Sequence, residues 1–301
     1  MERISGSRAL AAGFGLIARE PAAFLVWCVV CFALTIAPQI LTAGPMLETF
    51  AGLAKGGDPS DAALLAAQAK VNRYQGVVFL GSLLALMLLP AAIFRAVLFP
   101  EDKGLMYLKL GAREFWMALI VIVLFVMYVL AILVGMIPLL IVTGLVSFAT
   151  RGGEGDGAMV AGLLGFVMIA ALVCVILWGA LRLSLAPVMA FADKTFRLTE
   201  SWALTRGHAW KLFLIALAIF VIAMVAEIVV FAAFLAWASS AVSWTEMQAN
   251  PVAALARLGV PFLAAAGVAV ALLSGVFYAA FYGAWADIYR QLKPPTSDVF
   301  A

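Results

Sequence analysis

The chain has 301 residues, of which 66% are hydrophobic and only 12% are charged. Soluble globular domains carry about 25% charged residues, so this composition excludes an ordinary soluble domain and favours a membrane protein. The net charge of +3 is small, and we expect no nucleic-acid partner.

Six long apolar segments predict an all-α, polytopic transmembrane helical bundle. A helix needs about 20 apolar residues to cross the hydrocarbon core, and each segment is close to this length or longer. Barrel strands are disfavoured because they alternate over about ten residues. The predicted spans are Phe24–Leu41, Val77–Phe99, Trp116–Val142, Ala158–Phe191, Leu212–Trp237 and Val260–Tyr289.

The six spans fall into three repeats, each made of a short amphipathic stretch, a basic elbow and two apolar runs. The repeats cover about residues 1–99, 100–192 and 193–293, and residues 294–301 form a short cytoplasmic tail. We therefore expect one membrane domain over residues 1–301. It would contain three repeated hairpins, each preceded by an amphipathic interfacial helix. A rough threefold arrangement and a simple six-helix bundle both satisfy this pattern.

Basic residues are concentrated on one side of the predicted bundle. All but five of the 19 lysines and arginines lie near the two chain ends or in the connections after the second and fourth spans. The positive-inside rule then places both termini in the cytoplasm. The bacterial inner membrane is the simplest location for this multi-pass protein. The five basic residues on the other side are Lys55, Lys70, Arg73, Arg151 and Arg257.

Short amphipathic helices are predicted before the spans. In the first repeat, Leu10, Phe14 and Ile17 share one helical face, and Pro21 marks the turn into the first span. In the second repeat, Asp102 is a plausible helix cap,.

The third repeat carries the clearest helix signals. Asp193 is predicted to cap a helix that runs through Leu204, and Gly207 is well placed to end it,. On the opposite side, Thr42–Gln75 is long enough to hold structure of its own, including a capped helix start near Asp61. We expect no large extracytoplasmic domain.

Glu227 lies near the middle of the fifth predicted span and is the intramembrane polar candidate. A charged side chain at that depth costs roughly 2.5–3.5 kcal/mol on insertion scales. Three roles stay open: a protonated carboxyl bonded within the bundle, a contact that specifies a neighbouring helix or subunit, and a proton or cation site. No other charged residue lies at comparable depth, which disfavours a proton relay.

The sixth span carries a stripe of small residues, Gly275, Ala279 and Gly283, which predicts a helix-packing face,. Tight packing inside the monomer and a homo-oligomer interface both fit this stripe. Asp287 and Arg290 follow it, three residues apart, and could pair at the membrane edge.

Basic and aromatic residues at the elbows are candidates for contact with lipid headgroups. Ordinary topology demands the same residues, so specific lipid recognition is one of two interpretations. These interfacial candidates are Arg19, Arg113, Arg206, Trp210, Lys211 and Arg290.

Catalytic, cofactor-binding and metal-ligating residues are not predicted. Cys28 and Cys31 have the spacing of a redox or metal motif, but they lie inside the first span without a second pair,. A pair of small apolar side chains that face lipid or the protein core is the favoured interpretation. His208 has no local nucleophile or carboxylate, and interfacial packing is favoured for it.

Two stretches, Ser201–Leu212 and Ala286–Leu292, resemble a broad group of poorly characterised bacterial integral membrane proteins. These are related to the membrane domain attached to some glycerophosphodiester phosphodiesterases. The resemblance implies six helices, in agreement with the count above. It implies no catalytic residues here, since the phosphodiesterase activity of such fusions belongs to a separate soluble domain with acidic metal ligands and histidines.

Three functions remain after these steps. We favour a non-enzymatic accessory or scaffold protein that contacts membrane lipids, a larger membrane complex or a second copy of itself, without a cofactor. The alternative is a small transporter or lipid-handling permease that uses Glu227 in a cavity between hairpins. A membrane-embedded enzyme ranks last, because it would need polar residues clustered at the cytoplasmic boundary.

Overall fold

A computed structural model describes residues 4–40, 61–149, 156–249 and 251–293. Much of the predicted loop Thr42–Gln75, most of Arg151–Gly157 and the tail at 294–301 lie outside the described residues. The helices are α1 Gly6–Arg19, α2 Pro21–Cys31, α3 Asp61–Leu98, α4 Ala112–Ala149, α5 Asp156–Leu183, α6 Ala186–Asp193, α7 Leu198–Leu204, α8 Ala209–Ala241, α9 Trp244–Ala249 and α10 Pro251–Leu292.

The described residues form an all-α structure, and six of their helical stretches are long and apolar enough to cross a membrane. The predicted class, a polytopic helical bundle, is therefore confirmed. Large apolar side chains cover outward surfaces, as the 65% exposure of Phe125 illustrates. The candidate spans are Pro21–Ile40, Asn72–Leu98, Ala112–Val146, Gly162–Asp193, Ala209–Ala241 and Pro261–Leu292.

The chain divides into two compact units. Of the described residues, the larger unit contains those of Ser5–Leu110 and Ile215–Gln291, and the central unit contains those of Gly111–Leu214 together with Ile4, Leu292 and Lys293. In the larger unit, the core joins α2 to α3 through buried residues such as Trp27 and Ile93. In the central unit, Ile120 of α4 belongs to a smaller buried cluster with residues of α5 and α6.

The first span contains a π-helical turn over Phe32–Ile36. Pro38 has no N–H, so the carbonyl of Leu34 loses its helical donor. Gly81 of α3 lies against this carbonyl so closely that a side chain there would overlap it. The widened turn and the missing Cβ together allow a close approach of the first two spans.

Asp102 does not start a helix, because a non-helical turn follows it and continues to α4. Met106 and Tyr107 have φ values of 51° and 66° in this turn, a region that non-glycine residues rarely adopt. Two buried donors hold it: Trp27 Nε1 donates to the Met106 carbonyl at 3.0 Å, and Arg95 Nη1 donates to the Tyr107 carbonyl at 2.6 Å. Tertiary contacts therefore replace the interfacial helix expected in the second repeat.

Asp193 ends α6 and does not cap the next helix, so this prediction is wrong. Lys194 adopts a left-handed conformation with φ 55°, which ends α6, and α7 begins only four residues later. The Asp193 carboxylate instead contacts Lys293 Nζ at 3.2 Å and Arg197 Nη1 at 3.7 Å. Gly207, with φ 83°, lies in the turn that follows α7.

Candidate functional site

Glu227 lies on the exposed side of α8, close to the middle of the helix. Its carboxyl group makes no hydrogen bond or ion pair with the residues that the structure describes. Its neighbours on the same face are apolar, with Met224 40% exposed and Phe231 69% exposed. The interpretation that Glu227 is a protonated carboxyl bonded within the bundle therefore lacks a bonding partner in the described part of the chain.

A shallow crevice runs beside Glu227 and is lined by residues of α8, α10 and α1. Its volume is about 30 Å³, close to the share of one water in the liquid. Ala223 and Ala226 of α8 contribute to it, together with Phe277 of α10. Small residues in this position allow another helix to come near the carboxyl group.

The small-residue stripe of α10 packs inside the larger unit. Ala279 is fully buried, and a Cβ placed on Gly283 would lie 2.8 Å from the Cα of Gly13 in α1. A Cβ on Gly275 would overlap Sγ of Cys28 in α2. These contacts support the interpretation of the stripe as a packing face within one chain.

Four of the interfacial candidates lie in the central unit. The Arg113 guanidinium is 5.9 Å from the centre of the Phe191 ring. Arg206, Trp210 and Lys211 are exposed at the start of α8. They form a basic and aromatic boundary rather than an enclosed site.

Arg19 and Arg290, the other two interfacial candidates, line one cavity of about 400 Å³ in the larger unit, together with Arg8. We call it the arginine cavity. It is formed by α1, by the carboxyl ends of α3 and α10, and by Pro100. The remaining lining residues are Ala11, Ala12, Leu16, Ala96, Val97 and two acids, Glu20 and Asp287.

Glu20 holds the turn that precedes α4. Its Oε1 accepts hydrogen bonds from Lys103 Nζ at 2.7 Å and from the Tyr107 hydroxyl at 3.1 Å. The hydrogen bond from Lys103 is the main reason that the pKa of Glu20 falls below its ordinary value of 4.5. A lowered pKa means that this contact stabilises the fold at neutral pH and is lost as the pH falls through that pKa.

Asp287 binds α1 and its own helix. Its carboxylate accepts a hydrogen bond from Gln291 Nε2 at 2.7 Å and lies 3.5 Å from Arg8 Nε. The three-residue spacing of Asp287 and Arg290 is compatible with an ion pair along α10. In the structure, however, Asp287 pairs with Arg8. Sequence reasoning missed Arg8, Glu20 and Asp287 as parts of one cavity, because their proximity depends on the packing of α1 against α10.

The stretch from Ser201 to Thr205 closes the end of α5 in the central unit. The hydroxyls of Ser201 and Thr205 lie 3.1 and 3.0 Å from the Arg182 carbonyl. Trp202 meets the ring of Trp178 edge-on at 4.9 Å, and the Arg182 guanidinium lies 5.5 and 5.6 Å from the two ring centres. The most recognisable sequence stretch is thus used in a structural contact.

The cysteines and the histidine have ordinary packing contacts. Cys28 and Cys31 are buried free thiols, and His208 Nδ1 lies 3.2 Å from the Arg206 carbonyl. Within the described ranges, no group of three or more His, Cys, Asp or Glu residues could hold a metal ion.

Comparison with known proteins finds no matching family model, no matching curated protein and no matching solved structure. The function is therefore argued from the chain's own residues.

Proposed function

We propose that this protein is a non-enzymatic accessory or scaffold component of the bacterial inner membrane, which contacts lipids and docks onto a larger membrane complex. Both termini lie in the cytoplasm, and the basic side of the bundle faces the anionic leaflet. The proposal includes the three-repeat organisation, the interfacial position of α1, and kinship with the bacterial family that Ser201–Leu212 resembles. No activity is carried over from that family.

The exposed position of Glu227 is the observation that carries the docking function. Ionisable residues inside a membrane normally face a bundle interior or a water-filled cavity and pair with another group. Glu227 has no such partner in the described part of the chain. Burying its carboxyl group against a hydrogen-bond donor of another molecule would remove the cost of exposing it to lipid.

The partner we propose is a transmembrane helix of a different protein, with a basic, amide or hydroxyl side chain at the depth of Glu227. Charge complementarity favours a different protein, because this chain offers no cation at that depth. Ala223 and Ala226 beside Glu227 leave room for a close helix approach,.

The transporter alternative receives less support. It needs a water-accessible cavity that reaches Glu227, whereas the crevice beside this residue has room for about one water,. An exposed carboxyl group beside so small a crevice favours docking over transport.

Site-specific photo-crosslinking in native membranes tests the docking function. A photoreactive phenylalanine analogue is placed at Met224 or Phe231, one helical turn on either side of Glu227. Phe125 of α4, which is similarly exposed, serves as the matched control. We expect a heterologous adduct from the two α8 positions and not from the control. The adduct should persist in Glu227→Gln, which keeps a hydrogen-bonding side chain, and weaken in Glu227→Leu.

The identity of the adduct decides the outcome. The cross-linked helix should carry a polar residue near the site of attachment, and its replacement by leucine should abolish the adduct. An adduct of two copies of this chain would replace the proposed partner by a homo-oligomer. An adduct that is equally strong in Glu227→Leu would contradict the role of the carboxyl group.

A further inference from the structure

The two acids in the arginine cavity are already compensated by other cations. Glu20 accepts a hydrogen bond from Lys103 at 2.7 Å, and Asp287 lies 3.5 Å from Arg8. Neither carboxylate therefore needs Arg19 or Arg290 to neutralise its charge.

Those two arginines, Arg19 and Arg290, have little to bind in the described part of the chain. Arg19 makes no hydrogen bond or ion pair there. Arg290 Nη1 makes one long contact, 3.4 Å to the carbonyl of Val97. The cavity thus holds two guanidinium groups whose charge and most of whose donors are not used by the described residues.

Arg290 differs from the arginines at the equivalent ends of α3 and α5 in what its guanidinium group faces. Arg95, near the end of α3, donates to the Tyr107 carbonyl at 2.6 Å. Arg182, near the end of α5, lies against the ring of Trp202. Each of these two guanidinium groups contacts a residue between its own span and the next one, whereas that of Arg290 lines the cavity.

We propose that the arginine cavity binds a phosphate group, with Arg19 and Arg290 as its ligands. The planar guanidinium fork matches phosphate oxygens and binds them through paired, charge-assisted hydrogen bonds. A volume of about 400 Å³ falls in the range of small-molecule sites. Two sources have this chemistry: the headgroup of an anionic phospholipid and free phosphate.

The lining of the cavity favours the lipid source, and here the inference rests on the proposed contact of the basic side with lipid. Alanines, Leu16 and Val97 cover the walls between the charged groups. Such a surface accommodates the glycerol and first acyl carbons of a lipid whose phosphate reaches the arginines. The cavity also lies at the ends of predicted spans, at the level where headgroups are found.

Native mass spectrometry and equilibrium binding on the purified full-length protein in detergent test the site. The probes are phosphatidylglycerol, phosphatidylcholine and inorganic phosphate. We expect phosphatidylglycerol to be retained in preference to phosphatidylcholine. The double variant Arg19→Gln/Arg290→Gln should weaken its binding by about tenfold or more, since each charge-assisted hydrogen bond is lost.

Two further variants separate a site from a diffuse charge effect. Arg73→Gln/Lys194→Gln removes the same net charge from exposed positions outside the cavity that are not among the headgroup candidates, and binding should stay within about twofold of the parent. Arg19→Lys/Arg290→Lys keeps the charge but loses the fork, and should bind with intermediate strength. If the glutamine double inside the cavity and the glutamine double outside it lose the same affinity for phosphatidylglycerol, the site is refuted. If Arg19→Lys/Arg290→Lys binds phosphatidylglycerol as tightly as the parent protein, the guanidinium forks have no special role.

The three probes also distinguish this inference from the proposed lipid contact. Phosphatidylglycerol binding that neither glutamine double weakens would leave the lipid contact standing and refute the site. Inorganic phosphate binding that needs Arg19 and Arg290, without lipid retention, would support the site with free phosphate as the source. Retention of no probe would refute the site.

Discussion

Thr205 illustrates how one buried hydroxyl helps to close the end of a membrane helix. Its side chain is fully buried, and Oγ1 lies 3.0 Å from the Arg182 carbonyl and 2.9 Å from the Ser201 carbonyl. The last carbonyls of a helix have no intrahelical donor, and leaving such a group unpaired away from water is costly. The Ser-Trp-Ala-Leu-Thr stretch provides those donors in a form that sequence alone suggests only weakly.

We expect Thr205→Val to lower the free energy of unfolding by about 1 kcal/mol, because it removes a buried hydrogen bond at nearly constant volume. Thermal denaturation in detergent, followed by circular dichroism, provides the measurement. The matched control is Thr143→Val, whose hydroxyl, among the described residues, bonds only to carbonyls of its own helix. A control that is as destabilised as Thr205→Val would contradict a special role for the contact at the end of α5.

At the scale of elements, the crossing of α1 and α10 builds much of the larger unit around the arginine cavity. Gly13 and Gly283 remove the side chains at the crossing point, so that the two backbones approach closely,. This approach brings Arg8 within 3.5 Å of Asp287. The amphipathic pattern of α1 predicted a helix at this position, but the packing partner depends on residues near the other end of the chain.

Gly283→Ala should destabilise the protein by about 1–3 kcal/mol, because the new methyl group would meet the backbone of Gly13,. Gly144→Ala is the control: no atom of the described part of the chain lies within 4 Å of a Cβ at that position, and alanine is the better helix former. In thermal denaturation, Gly283→Ala should lower the midpoint temperature of unfolding. Gly144→Ala should raise it or leave it unchanged. Equal stability of the two variants would mean that the crossing tolerates expansion.

At the scale of the whole molecule, the lengths of the apolar segments predict how many times the chain crosses the membrane, and the distribution of basic residues predicts its orientation. Six described stretches satisfy the length and composition of a span. If all six cross the membrane, all but five of the 19 basic residues fall on one side, which the positive-inside rule predicts to be the cytoplasm,. An even number of spans requires both termini to share a compartment.

Topology reporters check this arrangement. A reporter fused after Gly153 should report the periplasm, and one fused after Ala301 should report the cytoplasm, because three spans separate these points from each other. Fusions with a fluorescent protein that matures only in the cytoplasm, and with an enzyme active only outside it, give complementary signals. The same compartment for both positions would exclude the six-span arrangement.

Local patterns predicted some parts of the candidate site and could not predict others. Arg19 and Arg290 were identifiable as basic residues at the ends of apolar runs, and Glu227 as a carboxyl group inside one. The partners of Asp102 and Asp193 were not identifiable, since both residues resemble helix caps in sequence but are engaged by Arg95 and by Lys293, respectively. Local capping propensity is worth only about 1 kcal/mol, and such tertiary contacts can outweigh it.

The sequence by itself determined the all-α class, the number of candidate spans and the expected orientation. These properties depend on hydrophobic length and on charge counted along the chain, which the membrane imposes as one-dimensional requirements. Only the tertiary structure decided that α1 crosses α10 at two glycines, that Asp287 meets Arg8, and that Glu227 lies exposed. Each of these depends on which helix faces which, and that choice is made by packing between residues far apart in the chain.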